Sequence, residues 1–273
     1  MSDLTVTLVQ TALHWQNSAQ NRQMLEEKIR QINRETDLVI LPEMFTTGFT
    51  MEAPKFAEDM EGPTIQWMKE LAGQLKIHLT GSLIIKENNH YFNRLIWATE
   101  TGKIVFYDKR HLFRMAGEHK VYSAGNQLVT IELKGWQIRP FICYDLRFPV
   151  WSRNVRLTYD VAVYIANWPE RRRHAWRTLL QARAAENQAY VIGVNRTGVD
   201  GLGIKYSGDS MVVDPVGNIL NDLKNEEQVL TCKLARTQLE QFREKFPTWK
   251  DADEFHLHDF KEKFFSVDSK LKK

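Results

Sequence analysis

The chain has 273 residues, with 37 Lys+Arg against 34 Asp+Glu, for a formal net charge of +3. Hydrophobic residues make up 43% and charged residues 26%. These values lie near the globular norm and exclude a disordered chain, a collagen-like repeat and a disulfide scaffold. The small charge gives no reason to expect a nucleic-acid partner. Apolar runs of a few residues fall far short of the ~20 that span a bilayer, so no membrane partner is expected. Only two cysteines occur, Cys143 and Cys232. The start Met1-Ser2-Asp3-Leu4 has neither a basic nor a long apolar leader region. The chain therefore reads as cytoplasmic, where thiols stay reduced.

Leu4 to Val9 alternates and predicts a strand; Ala19 to Asn33 carries Leu25, Ile29 and Ile32 at helical spacing. Asp37 to Leu41 is an apolar run suited to a strand covered on both faces. Pro63 opens a second helix, with Ile65, Met68, Leu71 and Leu75 in register. Leu79 to Lys86 is strand-like, and Tyr91 to Ala98 and Ile104 to Tyr107 flank a turn. Gln127 to Leu133 and Gln137 to Cys143 flank Lys134-Gly135 as another hairpin. Asp160 to Ala166 predicts a strand, Arg171 to Gln188 a long helix. Tyr190 to Val194, Ser210 to Asp214 and Gln228 to Leu234 complete the strands, with Cys232 as a structural thiol in the last. Alternating helices and strands, some as hairpins, imply an α/β fold with a mixed sheet or two sheets and helices outside. A single domain over 1–250 is expected. Residues 251–273 mix acids, lysines and four phenylalanines, and read as an extension that docks or is partly disordered.

Three residues with reactive side chains sit at or just past apolar strands. Glu43 follows Leu38-Val39-Ile40-Leu41-Pro42, Lys109 follows Ile104 to Tyr107, and Cys143 ends Phe141-Ile142-Cys143. Strand ends are where α/β folds place ligands. Each alone has a bland reading: a loop glutamate, a surface lysine, an inert core cysteine. Their combination favours chemistry, because a nucleophile, a carboxylate and a cation complement one another.

The blocks Leu41-Pro42-Glu43, Asp108-Lys109-Arg110-His111-Leu112-Phe113 and Cys143-Tyr144-Asp145-Leu146-Arg147-Phe148-Pro149 resemble the three signature blocks of the nitrilase superfamily, the carbon–nitrogen hydrolases. Their order, and spacings of 66 and then 34 residues, fit as well. Glu43 to Phe49, Ala116-Gly117-Glu118-His119, Asn167-Trp168-Pro169, Ala182 to Asn187 and Tyr206 to Ser210 make the chain similar to the bacterial omega-amidases of that superfamily. The resemblance implies a four-layer αββα sandwich, a homodimer or larger homo-oligomer, and no metal or organic cofactor. It implies hydrolysis of the ω-amide of a small dicarboxylate monoamide, such as α-ketoglutaramate or α-ketosuccinamate. It also gives Glu118 a supporting role, holding Lys109 or the water.

Elementary chemistry assigns the remaining roles. The Cys143 thiolate is the attacking form, and Glu43 can accept its proton and pass it to the departing ammonia. Lys109 suits the developing oxyanion, with the backbone N–H of Tyr144 as a second donor. A substrate carboxylate calls for an arginine, whose planar fork it matches. Arg172, within Arg171-Arg172-Arg173, is the expected partner, with either neighbour as the alternative. Trp168 and Phe45 are expected to wall the pocket. Other readings left open are another amidase or carbamoylase of the superfamily, or a non-catalytic carboxylate-binding relative. The histidines show no metal spacing; His256 and His258 lie two apart in the tail.

Overall fold

The computed structural model describes residues 2–32, 35–255, 257–258 and 260–268. The strands, in chain order, are β1 (Leu4–Gln10), β2 (Leu38–Ile40), β3 (His78–Glu87), β4 (His90–Ala98) and β5 (Ile104–Asp108). There follow β6 (Gln127–Leu133), β7 (Trp136–Ile142), β8 (Val161–Ala166), β9 (Tyr190–Asn195) and the ribbon β10 (Thr197–Val199) with β11 (Lys205–Ser207). β12 (Met211–Val213), β13 (Ile219–Asp222), β14 (Gln228–Leu234) and β15 (Lys261–Ser266) end the series. The helices are α1 (Ser18–Arg30), α2 (Ala53–Phe56), α3 (Pro63–Leu75), α4 (Pro149–Ser152), α5 (Arg173–Asn187) and α6 (Arg236–Lys245).

Two sheets face each other. One runs β14-β1-β2-β3-β4-β5, the other β13-β12-β9-β8-β7-β6-β15. The period of two along a strand sorts the side chains. Leu4, Val6, Leu8, Leu38 and Ile40 point inward and share one core with Ile142, Ile165 and Val194 of the second sheet. Val9, Val39 and Leu41 point outward, onto Leu25 and Ile29 of α1 and Ile65, Met68 and Leu71 of α3. On the other outer face, Trp176 and Leu180 of α5 lie over β9. A Cβ on Gly193 would come within 2.4 Å of Leu180, so only glycine admits this approach. Helix, sheet, sheet, helix is the expected four-layer order.

β1 pairs antiparallel with β14, from Leu4 with Leu234 to Gln10 with Gln228, and parallel with β2. β7, β8 and β9 are parallel neighbours.

Several elements differ from expectation. The long helix starts at Arg173 rather than Arg171, because Pro169 leads a 3₁₀ turn over Glu170–Arg172. Helix α6 and strand β13 carry weak apolar patterns and were not anticipated. Within the tail, β15 pairs parallel with β6 and is latched by an ion pair of its Glu262 with the buried Arg139. The expected end of the first helix at Asn33, and residues 269–273 of the tail, lie outside the described residues.

Candidate active site

Glu43, Lys109 and Cys143 leave the sheets at three strand exits, three residues past β2 and directly after β5 and β7. The fold brings the first two into contact. Lys109 Nζ lies 2.9 Å from Glu43 Oε1 and 2.9 and 3.0 Å from the two oxygens of Glu118, and all three side chains are fully buried. Glu118 also accepts the Phe113 N–H at 2.5 Å, which pins the loop between Lys109 and itself. Glu43 Oε2 accepts the backbone N–H of Asn167 at 2.7 Å, so its carboxylate is held from the second sheet too.

Burial opposes charge on Lys109, but the carboxylates of Glu118 and then Glu43 outweigh it and hold its pKa above the ordinary lysine value. The ammonium is thus permanent. Burial raises the pKa of Glu118, against the pull of Lys109. Burial, then repulsion by Glu43, also pushes the Cys143 thiol well up, with Lys109 opposing. The resting thiol therefore keeps its proton, and a base must remove it during attack. Glu43 acts on the thiol electrostatically and is the carboxylate suited to do so.

Cys143 opens a 3₁₀ turn, Cys143–Arg147, with φ +45°, a left-handed conformation that costs a non-glycine residue about 1–2 kcal/mol. Buried Asp145 holds this turn. Its carboxylate accepts the Ile142 N–H at 3.0 Å, the His111 N–H at 2.9 Å and the Tyr107 hydroxyl at 2.7 Å. One acid thus ties the cysteine turn to the lysine loop. The N–H of Tyr144 belongs to the first turn, whose donors have no intrahelical acceptor, and suits an oxyanion.

Cys143 and Lys109 line a cavity of about 460 Å³, together with Tyr144, Trp168, Arg171 and Arg172. Arg173 turns away and pairs with Asp209 at 2.6 Å. The 3₁₀ turn before α5 separates the three arginines in this way. Phe45 does not wall the cavity. The sharp turn after β2, with Met44 at φ +42°, sends it into the outer core. There it meets the Trp67 ring at 6.0 Å, and a Cβ on Gly81 would lie 2.7 Å from it. Phe49, four residues later, lines the cavity in its place and lies under Lys109 at 5.2 Å.

Sequence reading missed Asn93, whose Nδ2 donates to Glu43 at 2.7 Å and reaches Glu118 at 3.4 Å. A signal existed: Asn93 shares a face of β4 with Leu95 and Trp97, so a polar amide stands in an inward apolar row. Among the described residues no group of three or more His, Cys, Asp or Glu side chains can hold a metal ion. His256 lies outside those residues. No helix among them is long and apolar enough to cross a membrane.

The carbon-nitrogen hydrolase family model matches residues 5–244. The chain belongs to this family. As a carbon–nitrogen hydrolase it is similar to the omega-amidase YafV of Escherichia coli K12, 45% identical over 94% of this chain and 100% of the relative. It also resembles a 2-oxoglutaramate amidase of Bacillus subtilis, 31% identical over 90% of this chain and 96% of the relative. Among solved structures, a carbon–nitrogen hydrolase superfamily protein of Xanthomonas campestris, with an arsenic adduct in its active site, superposes with a TM-score of 0.92. It is 44% identical and covers 94% of this chain and 100% of that one. The hydrolase fold thus extends across nearly the whole chain.

Proposed function

We propose that this carbon–nitrogen hydrolase is a cysteine-dependent omega-amidase that releases ammonia from the ω-amide of small dicarboxylate monoamides, α-ketoglutaramate and α-ketosuccinamate among them. The observation that carries the reading is a half-buried thiol beside a buried Glu–Lys–Glu cluster, in a cavity that also holds arginines. The names of its relatives support it.

In this reading Glu43 takes the Cys143 proton as Sγ attacks the amide carbon. The oxyanion forms against Lys109 Nζ and the Tyr144 N–H, donors of a kind worth about 3–4 kcal/mol each. The adduct collapses to a thioester as Glu43 returns the proton to the departing ammonia. Glu43 then deprotonates a water, which attacks the thioester; the dicarboxylic acid leaves and the thiol regains its proton. Glu118 keeps Lys109 in place, Arg172 holds the distal carboxylate and Trp168 walls its path. The reading includes a homodimer or larger homo-oligomer and the cytoplasm, where an unprotected thiol persists.

An ammonia-release screen over α-ketoglutaramate, succinamate, glutamine, asparagine, N-carbamoyl amino acids and simple nitriles tests it. Turnover of the first two above the rest is expected. Preference for nitriles or carbamoyl compounds would replace the omega-amidase assignment.

A further inference from the structure

Behind the Glu43–Lys109–Glu118 cluster, on the outward face of the first sheet, lies a second buried ion pair. Arg94 of β4 stands opposite Asp108, the last residue of β5. Its Nε donates to Asp108 Oδ1 at 2.6 Å and its Nη2 to Oδ2 at 2.9 Å, a two-pronged pair. Nη2 also reaches Glu87 at 2.9 Å. The Arg94 side chain is 1% exposed, and its guanidinium lies 4.0 Å from the centroid of the Phe106 ring and 5.1 Å from that of Phe92.

Alternation along the strands ties this pair to the chemistry. Leu95 and Trp97 lie in the core between the sheets, and Ile96 and Ala98 in the outer one, so Asn93 faces inward and Arg94 outward. Asp108 and Lys109 divide in the same way. The Lys109 N–H donates to the Asn93 carbonyl at 3.0 Å, so two neighbouring residues on each side carry the reactive cluster on one face and the ion pair on the other. β5 forms the edge of the first sheet, with a ladder to β4 alone among the described strands, so its end needs another fastening. The Gly125 N–H donates to the Lys109 carbonyl at 2.9 Å, and a Cβ there would lie 2.3 Å from the Asp108 carbonyl oxygen. The backbone at Asp108 and Lys109 is thus gripped from both sides.

Stability explains the Arg94 pair poorly. A buried ion pair contributes little net stability, because desolvation offsets the attraction. Among the described residues Arg94 Nη1 has no hydrogen-bond partner, which adds to the cost. Burial also raises the pKa of Asp108, with Arg94 opposing. What the fork supplies is direction, since two parallel bonds fix the carboxylate in angle as well as distance.

We propose that Arg94 is a positioning residue for Lys109: by clamping Asp108 to β4 on the outward face, it fixes the backbone from which the Lys109 ammonium reaches the oxyanion. The proposal rests on the oxyanion role that the proposed function gives Lys109. Arg94 itself does not line the catalytic cavity.

The test measures kcat and KM for succinamate, with a melting curve, in wild type, Arg94→Met, Arg94→Lys and Asp108→Asn. Arg94→Met and Asp108→Asn should each lower kcat roughly ten- to a hundred-fold, since a misplacement on the order of 1 Å can cost about a hundred-fold. KM should stay within about two-fold, because the groups that bind substrate are untouched. The two changes combined should lose no more than the worse single variant, since they break one clamp. Arg94→Lys keeps the charge without the fork, so it should melt near wild type and still lose kcat several-fold; it decides the matter where Arg94→Met folds poorly. Full kcat in a stable Arg94→Lys protein, or a loss carried by KM, would overturn the positioning role alone. Near-normal turnover by Lys109→Ala would remove the oxyanion role, and the positioning with it. A wild type that prefers another carbon–nitrogen substrate would overturn the omega-amidase reading, and the same ratios taken on that substrate would still decide for or against Arg94.

Discussion

The two ends of the cavity handle charge in opposite ways. At the chemical end the Lys109 ammonium is fully buried, yet it is matched by Glu43 and Glu118, and Asn93 adds a further donor to both acids. At the end proposed to read the substrate carboxylate, Arg172 stands half-buried, and among the described residues no acid pairs with it. Groups that must act on a transient oxyanion are held before substrate arrives, so little reorganisation remains for the reaction itself. In the proposed function, the group that reads a permanent anion is left for the ligand to complete.

The sharpest way to break this contrast is at the chemical end. Cys143→Ala should abolish ammonia release, while Cys232→Ala leaves it nearly intact. Lys109→Arg should be almost as inactive as Lys109→Ala, a loss of at least about a hundred-fold in kcat, because a guanidinium is wider than an ammonium and misfits a closed cluster. Near-normal turnover by the arginine variant would show that charge suffices without placement, and the contrast would fail.

A buried imidazole supplies the yardstick: Asp268 and Asp37 favour its charged form, yet burial outweighs them. Burial lowers the pKa of His78 from 6.5 to about 4, and its Nδ1 accepts the Trp97 indole N–H at 3.0 Å. The folded state keeps it neutral, whereas the unfolded chain takes up a proton below about 6.5. Its contribution is complete above that pH and is lost as pH falls toward 4. At about 1.4 kcal/mol per pH unit, the loss is on the order of 3 kcal/mol. Urea melts of wild type and His78→Gln from pH 7 to 4 should therefore converge as pH falls. Parallel curves would mean that burial alone does not govern such groups here.

Asn93→Ala sharpens the contrast at a finer level. Loss of a donor to the charged form raises a carboxylate's pKa. The acidic limb of the kcat/KM profile should move to higher pH, with kcat down about ten-fold. A fall in activity with an unmoved limb would reduce Asn93 to packing. The smallest effect is expected at Arg173, whose half-exposed side chain pairs with Asp209 outside the cavity. Arg173→Ala should cost about 0.5–1 kcal/mol of stability, since Arg177 still reaches Asp209 at 3.0 Å, and should spare the preference for charged amides. A selective loss on succinamate would transfer the recognition role to it.

Much of the site was legible because its residues sit at strand exits, where apolar alternation stops and a reactive group follows. Glu43, Lys109 and Cys143 all carry that signature, and Glu118 came with the family resemblance. What escaped depends on side-chain direction, which spacing along the chain does not encode. Phe45 is one residue past the turn at Met44, whose positive φ reverses its aim. Asn93 looks like one polar residue in a strand until the carboxylates above it are placed. Helix α6 buries only Leu239 and Arg236 and so leaves almost no apolar stripe to read. Strand β15, Lys-Glu-Lys-Phe-Phe-Ser, is secured by an ion pair to buried Arg139 more than by an apolar face.

The pairing of β1 with β14 bears on how the chain is made. Residues Leu4 to Gln10 leave the ribosome long before their antiparallel partner, which ends at Leu234. Throughout most of synthesis the first sheet has an open edge of alternating Leu and Val, the kind of edge that invites pairing with other chains. Contacts so distant in sequence also form slowly, because a long loop must close before they form. Nascent chains stalled before residue 228 should therefore be protease-sensitive in β1 and become protected only after β14 emerges, so that a strand made early is secured late.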